Sequence, residues 1–157
     1  MGLLDRLLKR TPPRVIADPV LGRLEADSSD TWVGTINFRG TAREVQLIVR
    51  TAGAPTDAQR QAFRNLELRY DAIRPKLGAA LFEVWKPWLD KYSGDHDPSP
   101  PRSADEMLAS TNLETIWIEH DAGLMLSFGF AIDGIWDDAG LNVTLEEWVP
   151  HPAGIDD

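Results

Sequence analysis

Apolar and polar positions alternate through the first third of the chain. Trp32, Gly34, Ile36 and Phe38 share one parity, and Val33, Thr35 and Asn37 the other. After the turn signal Arg39-Gly40, Val45, Leu47 and Val49 alternate with Glu44, Gln46 and Ile48. Alternation sends one set of side chains to a buried sheet face, so the pattern predicts a hairpin. A shorter strand, Leu21 to Ala26, precedes it across the polar turn Asp27-Ser28-Ser29-Asp30. The period then lengthens. Thr56 followed by Gln59 forms a capping-box pattern behind Pro55, and Phe63, Leu66, Tyr70 and Ile73 recur at helical spacing. Pro75 opens a second helical stripe through Leu77, Leu81, Val84, Trp85 and Trp88, extending to about Tyr92, as a kink or a gap; Pro87 bends or ends its last turn.

The run SGDHDPSPPRS, residues 93–103, has no apolar side chain and reads as a mobile loop, with a helical turn from Ser103 to Ala109 behind it. Alternation returns in Leu113 to His120, Gly123 to Ile132 and Leu141 to Trp148. In the middle strand Leu124, Leu126, Phe128 and Phe130 form an apolar face. The opposite face, Met125, Ser127, Gly129 and Ala131, is small, and is either exposed or closely approached by other backbone. The fold class predicted is α+β: an antiparallel sheet of about six strands, arranged as three strands, two helices and three strands, with the helices on one face. Residues 1–14 form a short basic segment in which Leu3, Leu4, Leu7 and Leu8 oppose Arg6, Lys9 and Arg10; residues 15–150 form one domain, and 151–157 an acidic tail.

Composition adds exclusions. A chain of 157 residues with 43% hydrophobic side chains builds its own core, and the absence of Cys removes disulfides, thiolate metal sites and cysteine nucleophiles. No stretch approaches a membrane span, and the start is too short and charged for a signal peptide, so a cytoplasmic location is expected.

Charge changes the picture more. The net charge of -9 is segregated: residues 103–157 carry 12 acids and no Lys or Arg, residues 15–102 balance, and residues 1–14 are net +3 from four bases and one acid. Such a field disfavours nucleic acid and favours a basic partner.

Catalytic constellations are not found. Asp95-His96-Asp97 has ligating side chains, but a Pro-rich loop does not preorganise them. His120 sits at a hairpin tip, and His151 lies between two prolines. Glu146 and Glu147 are adjacent on a strand and so point to opposite faces, unlike a glycosidase pair. The segment from Asp133 to Asp137 lacks calcium-loop spacing, and no phosphate loop or nucleophile elbow occurs. No catalytic residue, metal site or cofactor is predicted. Six Trp remain to be explained: Trp32, Trp85, Trp88 and Trp117 fit core stripes, whereas Trp136 and Trp148 flank the most acidic stretch. Trp anchors interfaces and charge steers approach, so the expected partner-binding set is Trp136, Asp137, Asp138, Glu146 and Trp148. The alternative class is a small enzyme or metal-dependent domain built on Asp95, His96 and Asp97 or on the acids near 137.

Several motifs carry a resemblance. Asp18-Pro19-Val20-Leu21-Gly22-Arg23-Leu24, Trp32-Val33-Gly34, the helix start Pro55-Thr56-x-x-Gln59, Ala80-Leu81-Phe82-Glu83, and Trp136-Asp137-x-x-Gly140-Leu141-x-Val143 together resemble a family of uncharacterised bacterial single-domain proteins, often regarded as candidate immunity proteins of polymorphic toxin systems. The resemblance spans roughly residues 17 to 149 and implies a non-catalytic protein that neutralises a toxin; the acid-only last third makes the expected toxin a basic one. Its motifs are structural. A His often precedes the Gly of the last motif in that family, and Ala139 stands there in this chain.

Overall fold

The computed structural model describes residues 13–39, 41, 43–92, 99–131 and 140–156. Four strands come first: β1 (Val15–Asp18), β2 (Gly22–Ala26), β3 (Thr31–Ile36) and β4 (Val45–Arg50). Helix α1 (Asp57–Trp85) follows and runs into a 3-10 segment, Lys86–Tyr92. A short helix, α2 (Ala104–Ser110), leads to β5 (Thr111–Ile118), β6 (Leu124–Phe130), β7 (Gly140–Glu146) and β8 (Val149–Asp156). All eight strands form one sheet in chain order. The α+β class agrees with the sequence pattern, but the two helices expected between Thr56 and about Tyr92 are one helix ending in the 3-10 segment, the helical turn expected from Ser103 is α2, and six antiparallel strands become eight in a mixed sheet.

The added strands are the two edges, β1 and β8. Each is bounded or interrupted by proline (Pro19; Pro150 and Pro152), which a sheet tolerates at an edge because the outward side needs no N–H donor. Residues 151–156, expected as an acidic tail, are the body of β8. The sheet is mixed because α1 carries the chain from the end of β4 back to the start of β5, so these strands pair in parallel, Leu47 with Ile116 and Val49 with Ile118. Every other ladder is antiparallel.

Of the two readings at Pro75, the gap does not occur. α1 is continuous over 29 residues. Pro75 and Asp71 both lie on its exposed side, where water can take the carbonyl that loses its partner, and the buried stripe Phe63, Leu66, Tyr70, Ile73, Leu77 and Leu81 holds the helix on the sheet. α2 packs on α1 at Gly78, where a β-carbon would collide with the Ala104 carbonyl oxygen and lie 2.9 Å from Leu108 Cγ.

One sheet face is the core. Trp32, Leu47, Ile116, Leu126 and Val143 are all at most 4% exposed. The other face carries a row through Val33, Ile48, Trp117, Met125 and Thr144. Trp117, expected in the core, belongs to this second face. A bulge between Leu113 and Thr115 leaves Ile116 and Ile118 pointing inward, and Trp117 stays half-buried beneath the Arg50 guanidinium, 5.3 Å from the ring centroid. Gly129 is approached by the Glu114 side chain rather than by backbone. The basic segment expected over 1–14 lies outside the described residues apart from Pro13 and Arg14. Of the expected mobile loop, 93–98 lie outside them, while Pro100 is buried and the Pro101 carbonyl accepts a hydrogen bond from Trp85 Nε1 (3.1 Å). No helix among the described residues is long and apolar enough to cross a membrane.

Candidate functional site

The end of the sheet where β4 and β5 finish is held by one amide. Thr56 caps α1 in a complete capping box with Gln59. Gln59 is fully buried, and its Nε2 donates to the carbonyls of Arg50 and Glu119, each at 2.9 Å. The side chain thus joins the ends of both parallel strands to the first turn of α1. A second clamp fixes the β1–β2 turn: Asp18 Oδ1 accepts from the backbone of Val20 and Leu21, and Oδ2 pairs with Arg60 Nε at 2.8 Å. Burial opposes ionisation of Asp18, but the hydrogen bonds from Leu21, Val20 and Arg60 outweigh it and hold the carboxyl below its usual range.

Two hairpin turns sit on this frame. In the β5–β6 turn, Ala122 has φ 66, and Asp121 Oδ1 accepts from the Gly123 N–H at 2.9 Å. In the β7–β8 turn, Glu146 pairs with Val149, leaving Glu147 (φ 50) and Trp148 (φ 67) as the two central residues. A two-residue hairpin of this kind needs left-handed backbone at both positions, which Asn and Gly adopt cheaply and Glu and Trp do not. Among the described residues, these three are the only non-glycine positions with positive φ. Ala122, Glu147 and Trp148 line one recess of about 180 Å³, together with Ala62 and Leu145.

Glu147 is the carboxylate in its wall, and Asp121 and Glu146 adjoin lining residues in the two turns. Asp121, Glu146 and Glu147 are exposed, with no ion-pair partner among the described residues. Glu119 pairs with Arg50 at 3.5 Å, and His120 Nε2 lies 4.0 Å from Asp30. Of the expected binding residues, Glu146 and Trp148 are at this end, whereas Trp136, Asp137 and Asp138 lie outside the described residues, as do Asp95, His96 and Asp97. Trp148 is partly committed inward: it packs against the core, and its ring carries the Arg69 guanidinium at 5.1 Å. Glu147, read as a strand residue, belongs to the turn. Sequence reasoning missed Gln59 as a clamp, along with Asp121 and Ala122; their only signals were the capping box and the turn dipeptide.

The fold defines a class: two four-stranded meanders joined in parallel by a crossover helix, with paired hairpin turns at one end. Comparison of the chain with protein-family models, with curated proteins and with solved structures finds no match.

Proposed function

We propose that this is a non-catalytic bacterial protein-binding domain, an immunity protein in the concrete form, that engages a basic protein such as a cognate toxin through its acidic hairpin end. The observation that carries the reading is the coincidence, at one recess, of three strained non-glycine residues with one unpaired carboxylate in its wall, Glu147, while Asp121 and Glu146 adjoin lining residues in the same two turns. Strained backbone persists where the surrounding fold overdetermines it, and it concentrates at functional sites. The recess suits one inserted side chain, and Asp121, Glu146 and Glu147 favour a cationic one. Trp136, Asp137 and Asp138 belong to the same proposal on sequence grounds, as does a cytoplasmic location.

The test uses the product of the adjacent reading frame as ligand, with association and dissociation rates measured separately. The triple variant D121N/E146Q/E147Q is expected to slow association about tenfold at low salt, with much of the effect screened at physiological salt, because these groups steer encounter. Trp148→Ala is expected to speed dissociation instead. Unchanged rates in both variants, with both folded, would remove the acidic end from the interface. Calcium, zinc and manganese are expected to leave the melting temperature unchanged; a marked rise with any of them would favour a metal-dependent domain.

A further inference from the structure

A second concavity, of about 390 Å³, opens where β4 and β5 begin, at the other end of these strands from Gln59. Its inner wall is apolar, made by Leu108, Leu113 and Phe128, and Tyr70 lines it from α1. Tyr70 is 5% exposed and its ring packs edge-on against Phe38 at 4.9 Å, which fixes the side chain. Its hydroxyl bonds no described residue, and it is not sealed off either, because the one buried, unpartnered side-chain atom among the described residues is Asn142 Oδ1. The phenol therefore presents a free donor to the cavity. Burial pushes its ionisation above the ordinary range, with nearby Arg74 pulling the other way, so it keeps its proton at neutral pH.

Charge of both signs lines the cavity: Arg43 and Arg74, Glu44 and Glu114. Arg74 follows Tyr70 by one helical turn, on the same side of α1. The Glu114 side chain lies over Gly129, on the sheet face opposite the helices. Neither Arg43 nor Arg74 has an ion-pair partner among the described residues. The Tyr70 end of the cavity therefore joins a neutral phenol and the unpaired Arg74 guanidinium to an apolar floor. We propose that this cavity binds a small monocarboxylate with an apolar or aromatic body, its carboxylate held by the Tyr70 hydroxyl and Arg74 and its body set against Leu108, Leu113 and Phe128. This site is independent of the acidic end and does not rest on the protein-binding reading.

Benzoate is the probe, with benzamide as its neutral counterpart and inorganic phosphate as a bare anion, each titrated into the full-length protein while side-chain NMR resonances are followed. Benzoate is expected to shift Tyr70, Leu108 and Phe128 saturably, with benzamide at least about tenfold weaker. Tyr70→Phe keeps the ring that packs on Phe38, and Arg74→Gln keeps an exposed polar side chain, so both are expected to melt close to the parent. Each should weaken benzoate by about tenfold, the loss expected for one hydrogen bond to a charged group. Absence of a saturable shift, phosphate binding as strongly as benzoate at the same resonances, or undiminished affinity in both folded variants would each overturn the proposal.

Discussion

Gln59 shows how much one residue does at the helix start. It completes the cap of α1 and supplies the donor for two strand-end carbonyls in a site with no solvent exposure. Gln59→Leu is expected to lower unfolding free energy by about 2 kcal/mol or more, since it leaves buried acceptors unpaired. Gln59→Glu makes a sharper test. A carboxylate facing two carbonyls is held above its ordinary pKa, so this variant should be most stable under acid conditions and should lose stability as pH rises through neutrality. Asp18 runs the other way. Its folded pKa is lowered, so its contribution is complete above the unfolded value of about 3.9 and disappears as pH falls through the folded value. Asp18→Asn should flatten the stability profile below about pH 4 in denaturant titrations. The sequence announced the Thr56 and Gln59 pairing as a cap, but not its second use, because the carbonyls it reaches belong to residues 9 and 60 positions away.

At the level of elements, packing decided what propensity left open. Pro75 predicts an interruption from local chemistry alone, yet the apolar stripe on both sides of it is continuous in phase, and docking on the sheet holds the helix together. Gly78 is the close-approach point between helices, and Gly78→Ala sets a helix-propensity gain of about 1 kcal/mol against overpacking of about 1–3 kcal/mol. Backbone at Ala104 cannot step aside without moving α2, so a net loss of about 1 kcal/mol is expected in chemical denaturation. The β7–β8 turn makes the opposite prediction. Glu147→Asn places a residue suited to left-handed backbone at φ 50 and should raise stability by about 1 kcal/mol. If the acidic end is functional, the same change should weaken partner binding, separating stability from recognition. The inner strands were legible because their alternation is long. β1 and β8 were not, since the first is four residues and the second holds two prolines.

Across the whole molecule, the least legible feature was the parallel junction between β4 and β5. Alternation reports which face a residue occupies, not which strand lies beside it, and a pattern of strands, helix and strands is compatible with either direction at the seam. The site was partly legible for the same reason. The acidic bias of residues 103–157 is plain in the sequence, but the acids divide between the two ends of the strands, with Glu114 at one and Glu119, Asp121, Glu146 and Glu147 at the other, which only the register reveals.

The order of strands also fixes how the molecule answers to force. With β1 and β8 at opposite margins of one sheet, β1 starting at the Gln59 end of the strands and β8 finishing at the other, a pull between Val15 and Asp156 runs diagonally: its component across the strands peels each margin, and its component along them loads the ladders in shear. Single-molecule stretching between Val15 and Asp156 should therefore extend in steps, each margin giving way before the parallel seam beneath α1.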